Sequence, residues 1–290
     1  MPEPEQGTNR LNRPGIITRW YRGAGYVAIW PACYALGVLV LCAHLLENAF
    51  PSPMVIGYIL VCAHSCYLFD RVKLSDKRQD PADAIALPDR ASLFARRSRL
   101  IRSVVFIEGI AATVLGYLVF PLLALIPIAA LGVVHLYAGR GATPGDPRLK
   151  DLPGLKAFII ATGLLALSIA ILWSADHQML ADLHLGDALG LAGAWLVVSG
   201  DAALCDVDDI QADSIYRTQS MAVLLGSRSS WRIALALISA GGALMTIGHP
   251  ELAWFCVALV LSTILTMNNT NHRDFVDARL LALVLIFLNT

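Results

Sequence analysis

Nine stretches of this chain are apolar enough, and nearly long enough, to cross a bilayer, and short polar connections separate them. They fall at 26–45, 54–69, 103–120, 122–138, 155–174, 185–204, 230–248, 251–268 and 275–290. A helix needs about 20 apolar residues to span about 30 Å of hydrocarbon. Within lipid every backbone group must find a partner inside its own segment, so runs of this kind predict helices. The expected fold is therefore an all-α integral membrane protein, a single bundle of about nine transmembrane helices over 26–290. A polar tail, 1–25, precedes it. That tail carries Arg10, Arg13, Arg19 and Arg22, and no small-residue cleavage pattern ends the first apolar run, so the run is expected to stay as a span.

Composition agrees with the pattern: 57% of the 290 residues are hydrophobic and only 15% charged, too apolar for an ordinary soluble domain. The basic residues then orient the bundle. All 22 lie in the tail, between Arg71 and Arg102, from Arg140 to Lys156, from Arg217 to Arg232, or at Arg273 and Arg279. The alternate connections at 46–53, 120–121, 175–184 and 249–250 hold none. By the positive-inside rule the amino terminus and the loops 70–102 and 205–229 are expected in the cytoplasm, as in a multi-pass protein of a bacterial inner membrane. The formal net charge of zero hides a sorting by side, and no nucleic-acid partner is expected. Cys33, Cys42, Cys62, Cys66, Cys205 and Cys256 show no paired spacing and read as free thiols within or beside spans.

Two groups of aspartates close spans on the basic side. Asp206, Asp209 and Asp213 are spaced i, i+3, i+7, so a continuing helix projects them within about 60° of one another. Like charges on one face repel, and folding does not require them. A divalent cation would relieve them, and oxygen-only ligands suit magnesium shared with a phosphate. Asp208 falls on the opposite face and reads as a surface acid. The first group is less regular. Asp70 closes the second span, Asp76 and Asp80 follow, and Asp80-Pro81 with Asp83 also reads as a helix start. The positions 70 and 206 follow the second and sixth spans, which is compatible with a weak internal repeat. Nearby cations, Lys156, Arg148, Lys150, Arg71 and Arg217, are positive-inside anchors singly and a diphosphate-neutralising set together.

These residues resemble the UbiA superfamily of intramembrane prenyltransferases. The triplet Asp206, Asp209, Asp213 with the continuation SIYRTQSMAVLLG to Gly226 is similar to that family's second motif, and LYAGR, ending at Arg140, also looks like it. The first motif departs: with Asp70 in the middle, Cys66 stands for the family's Asn and Leu74 for its last Asp. A frame on Asp76 and Asp80 places Val72 at the Asn position. The resemblance implies a magnesium-dependent enzyme that ionises an allylic isoprenyl diphosphate and transfers the prenyl group to an acceptor the sequence does not identify. It implies metal ligands among Asp70, Asp76, Asp80, Asp206, Asp209 and Asp213, with the diphosphate met by Lys156, Arg148, Lys150, Arg217 and Arg71. Tyr67, Phe69 or Trp195 would face the allylic cation. Two other readings stand beside it. A terpene cyclase would act on the same diphosphate without an acceptor, and a carrier of phosphorylated lipids would use intramembrane Glu108, Asp201, His44, His64 and His135.

Overall fold

The computed structural model describes residues 16–47, 50–73, 84–85, 87–138, 148–175, 183–267 and 272–288. Among them there is no strand, and twelve α-helices follow one another: α1 (Ile16–Tyr26), α2 (Ile29–Glu47), α3 (Pro53–Val72), α4 (Pro88–Val119), α5 (Ile126–Ala138), α6 (Lys156–Ala175), α7 (Leu185–Asp208), α8 (Ile210–Tyr216), α9 (Met221–Leu225), α10 (Ser227–Gly248), α11 (Ala253–Thr266) and α12 (His272–Phe287). Short 3₁₀ turns at Pro121–Leu125, Leu149–Asp151 and Pro250–Leu252 link some of them. Six helices, α2, α3, α4, α6, α7 and α10, are long and apolar enough to cross a membrane, the architecture of a multi-pass integral membrane protein. The apolar runs 122–138, 251–268 and 275–290 fall on α5, α11 and α12, which have 13, 14 and 16 residues.

Local chemistry accounts for several boundaries. Pro53 sits in the first turn of α3, where its missing N–H is no loss, and the Ser52 hydroxyl accepts from the Val55 N–H. Pro88 opens α4 in the same way. That helix runs 32 residues, with a kink at Arg97, so it begins well before the apolar run at 103, inside the stretch expected as a loop. The polar tail also contains an unexpected helix, α1, which turns into α2 through Ala28 at φ 65°. The carbonyls of this elbow are taken by α3: Arg71 donates to those of Gly25 and Tyr26, and His64 Nε2 lies 2.8 Å from that of Val27.

At the centre of the bundle is α2, with Val38, Leu39, Leu41 and Cys42 fully buried, packed by α3, α6, α7 and α12. The most extensive helix pair is α7 against α10, and glycine explains it. A Cβ on Gly193 would stand 2.5 Å from the Gly241 carbonyl, and one on Gly241 2.5 Å from the Gly193 carbonyl. Gly186 meets Gly248, and Gly200 meets the Ala234 carbonyl, in the same manner. The contacts recur at 186, 193 and 200 on α7 and at 248, 241 and 234 on α10, a seven-residue step that keeps one seam facing the partner. In lipid, where apolar side chains gain nothing by leaving their surroundings, close backbone approach of this kind is a main source of helix association. Elsewhere large apolar side chains face outward, among them Phe106, Ile110, Leu118 and Leu122 along α4 and the turn after it, as a surface solvated by acyl chains requires.

The glycine seam makes a prediction. Gly193→Ala should destabilise the bundle by about 1–3 kcal/mol through overpacking, read as a lower thermal midpoint of the detergent-solubilised protein. Gly109→Ala on α4, where an added Cβ meets nothing within 4 Å, should hold or raise the midpoint, since alanine is the better helix former. Equal responses would refute the seam.

Candidate functional site

The polar ends of α3, α5, α6, α7 and α12 meet at one end of the bundle. Antiparallel packing of α6 on α7 sets Lys156, the first residue of α6, against the last turn of α7. The Lys156 ammonium lies 2.8 Å from Asp206 Oδ1, 3.5 Å from Asp209 Oδ2 and 3.0 Å from Asp213 Oδ2. Lys156 and Asp213 are 7% exposed and Asp206 only 2%, so this is a buried cation surrounded by three carboxylates. The helix does not run straight through the triplet. It breaks at Asp209 (φ −91°, ψ −1°), and α8 restarts at once. Backbone bonds from Asp209 N–H to the Asp206 carbonyl and from Asp213 N–H to the Asp209 carbonyl preserve the common face.

A second protein cation, which the local pattern gives no reason to expect, completes this lobe. Arg273, next to the start of α12, holds Asp209 with both guanidinium arms at 2.8 and 2.9 Å, and its backbone N–H donates to Asp208 at 2.9 Å. Burial acts to raise the Asp209 carboxyl, but the charges of Arg273 and Lys156 beside it prevail and hold it below the usual aspartate range. Three carboxylates therefore face two cations. Protein cations thus relieve part of the repulsion within the triplet, and they come from positions far along the chain. Asp208 itself is exposed, as its place on the opposite face predicts.

The start of α6 is fixed by its own network. Gly154, at φ 65°, donates its N–H to the Gln219 carbonyl at 2.8 Å, a turn that favours glycine. Arg148 grips Asp151 at 2.9 and 2.8 Å and donates to the Thr218 hydroxyl at 2.6 Å, and that hydroxyl donates to Asp151 at 2.7 Å. Burial favours the neutral Asp151 carboxyl, yet the Arg148 and Thr218 hydrogen bonds keep it below the usual range. Arg217 caps α8 in the left-handed region (φ 59°), and its side chain is exposed. Its role here is a backbone one, turning the chain so that Thr218 reaches Arg148.

Across the site Asp70, in the last turn of α3, pairs with Lys73 at 2.5 Å. Lys150 interacts electrostatically with Asp70 and Lys156, and burial pulls its ammonium below the usual lysine range. Tyr137, in the last turn of α5, interacts with Lys156, Asp206, Asp70 and Asp213, and so links the two lobes. Arg71 is turned to the α1–α2 elbow. Asp76, Asp80, Asp83 and Arg140 lie outside the described residues. Of the aromatic candidates, Phe69 packs with Leu68, Val72 and Phe94, and Trp195 stacks on Phe158 while donating to Thr162 at 3.0 Å. Tyr67 interacts with Asp277, Cys205 and Arg273, placing it on the α12 side.

The other intramembrane polar residues form separate pairs. His64 Nδ1 lies 2.9 Å from both Glu108 oxygens. Asp201 accepts from Arg279 and, at 3.0 Å, from the Tyr34 hydroxyl, while Arg279 also donates to Thr263 at 2.8 Å. All six cysteines are free.

Among the described residues no group of three or more His, Cys, Asp or Glu forms a ready cage for a metal ion; the point on which the triplet converges is held by the Lys156 ammonium. The donor set nevertheless fits a hard divalent cation. It consists of oxygens alone, its local charge is negative, and Asp206 Oδ2 is buried without a hydrogen-bond partner. Comparison with protein-family models, with curated proteins and with solved structures gives no match. The class that fold and site define is thus an all-α membrane protein with an acid–lysine cluster at one end of its helices.

Two outcomes test this geometry. Lys156→Met leaves buried carboxylates without their cation and should lower stability by about 3 kcal/mol or more. Millimolar Mg²⁺ should restore part of the thermal midpoint, whereas an unchanged midpoint in the variant would show that the ammonium does not hold the triplet. Asp208→Asn, which keeps a side-chain oxygen able to accept from the Arg273 N–H, should change stability by no more than about 0.5 kcal/mol, read from the thermal midpoint.

Proposed function

We propose that this protein is a magnesium-dependent intramembrane prenyltransferase of the UbiA type, acting on an allylic isoprenyl diphosphate. On this reading the chain crosses the membrane nine times, with its amino terminus and the acid-lined end in the cytoplasm. The observation that supports it best is the convergence of Asp206, Asp209 and Asp213 on one cation at the polar end of an apolar bundle. Such a site suits a substrate that is a polyanion at one end and a hydrocarbon at the other.

The residues divide the work. Asp206, Asp209 and Asp213 on one lobe and Asp70, with Asp76 or Asp80, on the other would hold Mg²⁺, which when bound supplies Lewis-acid neutralisation of the diphosphate. Lys156 and Lys150, between the lobes, offset the charge that grows on the leaving group, as fixed cations do best in a water-poor site. The carbon–oxygen bond breaks with both electrons leaving on the diphosphate. The allylic cation then forms a bond to the acceptor, which gives up a proton. An apolar surrounding supplied by the bundle would keep water from capturing the cation first.

The test uses purified protein with farnesyl or geranylgeranyl diphosphate. Release of inorganic diphosphate should require Mg²⁺ and stop in excess chelator, and Asp206→Asn should reduce it at least about a hundredfold. Equal turnover in chelator would overturn the metal mechanism. A cyclised hydrocarbon formed without acceptor would replace the transferase by a cyclase, and retention of intact diphosphate without turnover would indicate a carrier.

A further inference from the structure

The three acids of the triplet are not equivalent. Both oxygens of Asp209 are engaged by the two arms of Arg273, and one also faces Lys156 at 3.5 Å. Asp206 has one oxygen on Lys156, while its Oδ2 is buried and without a hydrogen-bond partner. Asp213 meets Lys156 through Oδ2. An arginine fork matched to both oxygens of a carboxylate is the strongest and most directional of the charge-assisted pairs. A cation arriving at Asp209 must break two such bonds, whereas one arriving at Asp206 finds an oxygen that already lacks a partner.

We infer that Arg273 is a positioning residue, fixing Asp209 as a structural pivot, and that Asp206 and Asp213 supply the carboxylate oxygens taken by a divalent cation. This rests on the metal-dependent reading above and narrows it. The break between α7 and α8 falls at Asp209, so the carboxylate held by Arg273 belongs to the residue at which the chain changes direction. Clamping it sets the angle between α7, which carries Asp206, and α8, which carries Asp213. Arg273 also donates its backbone N–H to Asp208, so α12 holds this junction at two successive residues.

The experiment measures Mn²⁺ binding to the purified full-length protein by electron paramagnetic resonance, with the thermal midpoint of every variant alongside. Asp206→Asn, close in shape to the native residue, should weaken Mn²⁺ binding at least tenfold with little change in midpoint. Asp209→Asn should keep the affinity within about threefold and lower the midpoint. Arg273→Ala should lower the midpoint as Asp209→Asn does, and the double variant should add little to either single one, since the two residues act as a pair. Arg273→Lys, which cannot reproduce the fork, should recover only part of the loss. Loss of Mn²⁺ binding in Asp209→Asn equal to that in Asp206→Asn would overturn the inference while leaving the metal reading intact. Absence of Mn²⁺ binding in the parent protein would overturn both.

Discussion

Because α7 and α10 meet backbone to backbone at Gly186–Gly248, Gly193–Gly241 and Gly200–Ala234, neither helix can slide or rotate against the other without a clash of carbonyls. The last of these contacts lies less than two turns before Asp206, so the seam sets the depth and direction of the first acid of the triplet. The α6 helix then packs on another flank of α7, which brings Lys156 to the same level. A deletion of one residue within either helix would turn the glycines away from each other by about 100° and take the acids with them.

The buried ammonium and the three carboxylates are a second consequence of that packing. Removing a charge from water costs several kcal/mol even after relaxation, and only close partners offset it. Lys156 has three such partners, and Asp209 has Arg273 as well. The arrangement is dense enough in charge to be held in an apolar bundle, yet it leaves the buried Asp206 Oδ2 without a hydrogen-bond partner. That oxygen is the place in the cluster where an incoming cation would displace no hydrogen bond.

Much of this was legible along the chain, where the signal is local. The apolar runs fall on helices because length and composition alone decide what survives in lipid. The common face of Asp206, Asp209 and Asp213 persists through the break at Asp209 because two backbone hydrogen bonds continue the helical spacing. The partners were harder to foresee. Lys156 and Arg273 lie about 50 and 64 residues from their acids in sequence, and each alone reads as a membrane-side anchor, so only the packing of α6 and α12 reveals the pairing. The α1 helix escaped notice because its polar face resembles a tail. Arg71 and Arg217 were expected at the diphosphate. Arg71 is committed to the α1–α2 elbow, and the bonds that fix Arg217 are those of its backbone. The seven-residue glycine pattern was present in α7 and α10, but it has meaning only once the two are known to be neighbours.

The pair formed by His64 and Glu108 has a strict proton inventory. A carbonyl oxygen can only accept, so the ring nitrogen facing Val27 carries a hydrogen. The other ring nitrogen faces a carboxyl group at 2.9 Å, and that contact needs one hydrogen between them, on the ring or on the acid. Imidazolium with carboxylate and imidazole with carboxylic acid are the two ways to write it, and both sum to zero charge. Moving the hydrogen from one partner to the other thus creates no net charge in the surrounding hydrocarbon, which is how an acid can stand partway along a helix that crosses it.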